Sequence, residues 1–152
     1  RCSGAASESL SAGPYVKLVA MYDVFEDRVQ RSRKVLKDRF PDQVQVEDSH
    51  CFSDFKGYQK VIENVDVVLI ACASKFHPMY AEAAIKAGKH VFVEKPHAID
   101  PAGCLRDRKA ALWIDGGHAG AVVSPIFKPP QTGESQKSRF EGLFRAANID
   151  SS

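Results

Sequence analysis

The chain reads as an α/β protein built on a doubly wound parallel sheet, and three observations predict it. Two apolar runs, Val67-Val68-Leu69-Ile70-Ala71-Cys72 and His90-Val91-Phe92-Val93, are uninterrupted, as in strands covered on both faces. Between them lies one helix-length segment, with Pro78 near its start and Gly88 just past its end. Upstream, a run from Tyr15 to Tyr22 leads into a segment of helical periodicity. Strands alternating with helices of this length form right-handed βαβ units.

Taken in order, residues 3–12 read as a short helix whose Gly4, Ala5 and Ala6 allow close packing on a strand. Gly13-Pro14 ends it. Tyr15 to Tyr22 is the first strand and Asp23 closes it. An amphipathic helix follows, with Phe25, Val29, Ser32, Leu36 and Phe40 on its inner face. Glu26 and Asp27 sit in its first turn, and Pro41 stops it. Val44 to Val46 is a candidate short strand. Residues 57–64 form a short helix with Tyr58, Val61 and Ile62 inward. Then come the strand from Val67 to Cys72, the helix from Pro78 to Ala87 and the strand from His90 to Val93. Past Cys104 the pattern weakens. Residues 105–113 can be helical with a poor apolar face, and 119–124 can be a short strand. Residues 127–138 read as loop, and 142–149 as a frayed terminal helix.

The bulk numbers narrow the function classes. At 152 residues the chain holds one domain with a core of its own. A net charge of +2 gives no electrostatic argument for nucleic acid or for an anionic membrane surface. No apolar run has the length of a membrane span. Cys2, Cys51, Cys72 and Cys104 have no C-x-x-C spacing, so neither a zinc site nor a disulfide framework is expected. His and Asp residues show no metal-ligand spacing, and no G-x-S-x-G elbow is present.

Candidate chemistry gathers at strand ends, where ligands of open α/β sheets bind. Asp23 can accept hydrogen bonds from the ribose hydroxyls of an adenosine, a role that favours NAD over NADP. It can equally cap the helix that follows, and Arg28 lies close enough to tolerate a 2′-phosphate. Ala71, Cys72, Ala73 and Ser74 follow a buried strand with small side chains that let a ring or ribose approach the backbone. His77 either reaches a ligand or packs at the helix entry. Lys95 follows Glu94 and precedes Pro96. It can donate to an anionic or hydroxylic group, or simply pair with Glu94. Lys95-Pro96 is also a candidate cis bond. Gly4 alone is a weak phosphate-loop signal, because the strand and first glycines of G-x-G-x-x-G do not precede it here.

From Val16 to Cys104 the chain resembles the nucleotide-binding domain of the glucose–fructose oxidoreductase / inositol dehydrogenase (Gfo/Idh/MocA) family. Val16 to Phe25, Val65 to Ala71 and Phe76-His77-Pro78 carry the resemblance. The strongest segment is Ala83 to Pro96, ending in His90-Val91-Phe92-Val93-Glu94-Lys95-Pro96. The resemblance implies a Rossmann-like sheet, incomplete because the family's first strand would lie before Arg1. It also implies NAD as cofactor, with NADP possible, and a sugar or polyol as the small-molecule substrate. Lys95 would be the catalytic residue beside the nicotinamide, with Glu94 and Pro96 in the cofactor pocket. Asp23 would meet the adenosine ribose, and Arg1 and Gly4 would be the tail of the phosphate loop. Ala71 to Ser74, with His77, would lie under the cofactor.

The family's substrate domain, with its Asp-x-x-x-His pattern, has no counterpart in the sequence. Asp115-Gly116-Gly117-His118 has the wrong spacing. The expectation is a partial nucleotide-binding domain over residues 1–104 and a divergent or frameshifted tail over 105–152. A fragment of this kind is expected to turn over no substrate. A homo-oligomer is expected only where the substrate domain is present. The alternative is a non-catalytic nucleotide-binding or protein-interaction module, or an inactive gene product.

Overall fold

The computed structural model describes residues 2–112 and 122–123. The order is α1 (Cys2–Leu10), β1 (Met21–Tyr22), α2 (Glu26–Arg39), β2 (Cys51–Phe52), α3 (Gly57–Glu63), β3 (Val67–Ile70), α4 (His77–Lys86), β4 (His90–Val93), α5 (Pro101–Leu112) and β5 (Val122–Val123). All strand pairings are parallel, with helices between strands, as the alternation predicts. The sheet comes in two pieces, ordered β1-β2 and β3-β4-β5. Register is regular in the larger piece, from Val67 opposite His90 to Ile70 opposite Val93.

β4 occupies the centre of that piece, and its side chains alternate between two cores. Phe92 joins Ala5, Ala6 and Leu10 of α1, Leu36 of α2, and Val16, Val44 and Val46. Val91 and Val93 join Val68 and Ile70 of β3, Ile62 of α3, and Tyr80, Ala81, Ala84 and Ile85 of α4. The result is a three-layer arrangement with helices on both faces of the sheet. All of Val91, Phe92 and Val93 are buried, as an uninterrupted apolar strand requires. β3 departs from that expectation. Its Val67 and Leu69 are only half-buried, because β3 has no strand neighbour on the side away from β4 among the described residues.

Several local expectations shift. The strand expected over residues 15–22 pairs only at Leu18 opposite Val44 and at Met21–Tyr22, where partners are available. The strand expected over Val44 to Val46 is just that bridge, and β2 forms instead at Cys51–Phe52. Phe25 does not face inward. It stands at the N-cap of α2, 53% exposed, with the Arg28 guanidinium 4.5 Å above its ring. α5 starts at Pro101, four residues before the helix expected from Leu105, because Asp100 caps it. The Asp100 side chain accepts the Gly103 N–H at 2.6 Å, and proline suits a first helical position. The helix thus runs across the boundary placed at residue 104. The readings made for 127–138 and 142–149 lie outside the described residues.

α4 ends as its sequence predicts. Gly88 has φ +73°, and its N–H donates to the Ile85 carbonyl at 2.9 Å while Lys89 N–H donates to Ala84 at 3.0 Å. This pair is a Schellman cap. A Cβ at Gly88 would meet nothing within 4 Å, so a substitution there acts through the backbone alone. Gly88→Val is expected to cost about 1–2 kcal/mol, the penalty of a left-handed conformation for a residue with a Cβ. Urea unfolding should show a lower midpoint at unchanged slope. An unchanged midpoint would refute the left-handed geometry.

Candidate functional site

The carboxyl ends of the parallel strands converge on one side of the molecule. A cavity of about 920 Å³ runs between the two sheet pieces. It is lined by Leu18 to Asp23 on one wall and by Val65 to Ala73 on the other. Cys2 and Ser3, the first described residues of α1, close one end, and Phe25 and Arg28 also border it. Asp23, Ala71, Cys72 and Ala73 therefore share one space with the helix start, as the strand-end reading predicts.

Each position has a local cause. Asp23 follows β1 and is held from two sides. Its N–H donates to the Phe52 carbonyl at 3.3 Å, and its Oδ1 accepts the Phe25 N–H at 3.0 Å. This bond closes a turn ahead of α2 and occupies one carboxylate oxygen; the N-cap of α2 is Phe25, with no side-chain cap hydrogen bond, so Asp23 does not cap the helix. Ala71 and Cys72 leave β3 where the chain turns toward α4, and Ala73 leads into a single 3₁₀ turn over Ser74–Phe76. Desolvation pushes the Cys72 thiol up to about 11, so at neutral pH it is a neutral thiol and not an activated nucleophile. The Cys2 thiol is exposed at the helix start yet also shifts up, through desolvation by the surrounding chain and then the Asp23 and Glu94 carboxylates. This brings Glu94 into the electrostatic surroundings of the helix start.

Among the described residues, Gly4, Ser74, His77, Glu94, Lys95 and Pro96 do not line the cavity. Gly4 is exposed inside α1 and Arg1 lies outside the described residues. Glu94 continues the β4–β3 ladder by donating its N–H to the Ile70 carbonyl at 2.8 Å. Lys95 and Pro96 follow on an exposed turn whose Lys95-Pro96 peptide is cis. Ser74 is half-buried beside the cavity mouth. His77 is 1% exposed, and both its ring nitrogens face backbone carbonyl oxygens, Pro96 at 2.9 Å and Cys72 at 3.1 Å. It packs at the helix entry and presents no ring nitrogen to the cavity.

Sequence reasoning missed an aromatic group beside this space. Tyr80 stacks with Phe76, meets Tyr58 at a centroid distance of 4.6 Å, and stands edge-on to Tyr22 with its hydroxyl 3.4 Å from the Tyr22 hydroxyl. Burial and the Tyr22 hydroxyl raise the Tyr80 phenol above its ordinary range, so it stays protonated. Tyr58 carried a sequence signal as an inward position of α3, and Phe76 and Tyr80 stand four residues apart, but nothing in the sequence joined them to Tyr22. Also missed was Gln43, whose Nε2 lies 2.9 Å from each of the Leu10, Gly13 and Val16 carbonyl oxygens and ties the end of α1 to the segment that leads into β1. Among the described residues no cluster of His, Cys, Asp and Glu is arranged for a metal ion, and no helix is long and apolar enough to cross a membrane.

Known proteins share this architecture. The model of the oxidoreductase family with an NAD-binding Rossmann fold matches residues 6–111. The inositol 2-dehydrogenase/D-chiro-inositol 3-dehydrogenase of Halalkalibacterium halodurans is 32% identical over 68% of this chain and 26% of its own length. A glycosyl hydrolase family 109 protein of Solibacter usitatus is 31% identical over 96% of this chain and 41% of its own. The crystal structure of a probable dehydrogenase from Thermotoga maritima superposes with a TM-score of 0.59 at 27% identity, covering 82% of this chain and 32% of that one. The chain spans between 26% and 41% of the length of these relatives.

Proposed function

The chain belongs to the Gfo/Idh/MocA oxidoreductase family, and from that premise we propose that it binds a nicotinamide dinucleotide across the carboxyl ends of its parallel strands. It would be the nucleotide-binding part of a dehydrogenase acting on a CH–OH group of a sugar or polyol. One observation carries this reading: Asp23, Ala71, Cys72 and Ala73 line a single cavity with the first residues of α1.

The residues fit such a ligand. Asp23 keeps one carboxylate oxygen for a ribose hydroxyl while the other accepts the Phe25 N–H. The carboxylate repels a 2′-phosphate, which favours NAD, and Arg28 beside it is the group through which NADP would be tolerated. The opening turn of α1 offers backbone N–H groups and the positive end of the helix dipole to a pyrophosphate, with Gly4 and Arg1 nearby in sequence. Small side chains at Ala71 and Ala73, with Cys72 and Ser74, let the cofactor lie against the chain. When bound, the nicotinamide supplies the site that accepts or donates a hydride. Lys95, exposed after β4, orients the reacting hydroxyl and takes or returns its proton, and Glu94 and Pro96 meet the cofactor from the same turn, beside the cavity rather than on its wall. A polyol substrate is supported by the relative named for inositol.

Titration of the folded 152-residue chain with NADH, read by nicotinamide fluorescence, tests the reading. Saturable binding that ADP-ribose competes away is expected. A chain that is folded by circular dichroism yet binds neither NADH nor NADPH would refute it.

A second reading is favoured by the sheet itself. The facing edges of β1 and β3 both lack a strand neighbour among the described residues, and both line the cavity. An extended segment of another protein could add there as a strand. Concentration-dependent association in sedimentation, without NADH binding, would favour it.

A further inference from the structure

His77 is the most deeply buried ionisable side chain among the buried polar residues described, at 1% exposure. Its two ring nitrogens reach two different loops. Nδ1 lies 2.9 Å from the Pro96 carbonyl oxygen, in the turn after β4, and Nε2 lies 3.1 Å from the Cys72 carbonyl oxygen, in the loop after β3. A carbonyl oxygen only accepts. A neutral imidazole carries one N–H, so it satisfies one of these oxygens and sets a lone pair against the other. Both contacts are attractive only when both nitrogens carry hydrogen, and two charge-assisted hydrogen bonds offset part of the cost of burying that charge.

We propose that His77 is a positioning residue for Lys95: an imidazolium that donates from both ring nitrogens and staples the Lys95-Pro96 turn to the loop at Cys72. The β3–β4 ladder holds these segments together as far as the Glu94 N–H on the Ile70 carbonyl. His77 carries the connection into the loops themselves. The Pro96 carbonyl it holds is one residue from Lys95, and the Cys72 carbonyl sits between Ala71 and Ala73 on the cavity wall. The staple thus sets the place of Lys95 relative to that wall. Its functional consequence rests on the cofactor reading above; its geometry does not.

The test needs no ligand. In the chain labelled with 15N-histidine and sequentially assigned, long-range 1H–15N correlations at neutral pH report each His77 ring nitrogen. Both are expected as N–H nitrogens protected from solvent exchange. A bare, lone-pair nitrogen at either position overturns the proposal. His77→Gln, which keeps a single amide donor group, is the second arm. Its amide shifts should change mainly at residues 71–74 and 94–97, with the strands unmoved. Unchanged loops, or shifts spread evenly through the fold, also overturn it. Failure of the wild type to bind NADH would remove the cofactor reading and leave the ring-nitrogen result standing.

Discussion

Replacing Phe92 with alanine is expected to lower the unfolding free energy by about 3–5 kcal/mol, the usual range for truncating a buried aromatic. Phe92 is fully buried on the central strand. Its neighbours in the core come from α1, α2 and the stretch around the first sheet piece, whereas its own strand belongs to the second piece. The ring is therefore a packed link between two sheet pieces that share no strand pairing. Leu69 and Val67, half-buried against the same cluster, cannot fill the space, because their backbones are held in register with β4. Small domains are stable by only about 5–15 kcal/mol, so the loss is a large fraction of the total. Urea unfolding followed by circular dichroism should show a much lower midpoint. A broader, two-step transition would mean that the pieces come apart separately. A loss below about 1 kcal/mol would refute the linking role, since it falls well outside the range for a fully buried ring.

The second large effect concerns Asp23. Asp23→Asn is expected to weaken NADH binding by about tenfold or more, as the loss of a hydrogen bond to a charged group implies. The amide oxygen of asparagine can still accept the Phe25 N–H that Asp23 Oδ1 holds at 3.0 Å. Stability should therefore stay within about 0.5 kcal/mol, as for substitutions that leave the local structure intact. Binding of NADPH should weaken less, or strengthen, because the charge that repels a 2′-phosphate is gone while Arg28 remains. Asp23→Ala separates the two roles, since it also removes the acceptor of the Phe25 N–H and costs about 1 kcal/mol of stability. Equal affinities of wild type and Asp23→Asn for both cofactors would show that Asp23 only holds the turn at Phe25.

Much of the fold was legible because its causes are local. The helix from His77 to Lys86 follows from its periodicity, Pro78 and Gly88. β4 follows from an apolar run of four residues between Lys89 and Glu94. What was misread depends on partners distant in the chain. Phe25 matched the helical stripe yet lies outward, because the turn at Asp23 puts it at the cap, ahead of the first buried turn. β2 carries no sequence pattern of its own. Cys51 and Phe52 become a strand because Met21 and Tyr22 lie beside them. Of the candidate site, the strand-end residues were found from the rule that ligands bind beyond strand carboxyl ends. The aromatic group around Tyr80 and the two-sided contacts of His77 were not, since their members come from four elements and from two loops respectively.

By itself, then, the sequence determined the order of elements, their parallel sense and the caps that bound them. It also placed Asp23, Ala71 to Ser74 and Lys95 at strand ends, because these depend on neighbours a few positions away. Only the tertiary structure decided that Phe92 joins the two pieces of the incomplete sheet, and that His77 turns inward to two carbonyl oxygens and away from a ligand. The physical reason is that a strand edge, a core contact or a buried hydrogen bond exists only when a second segment is present to complete it. Which segment that is depends on how the whole chain packs, and no local pattern records it.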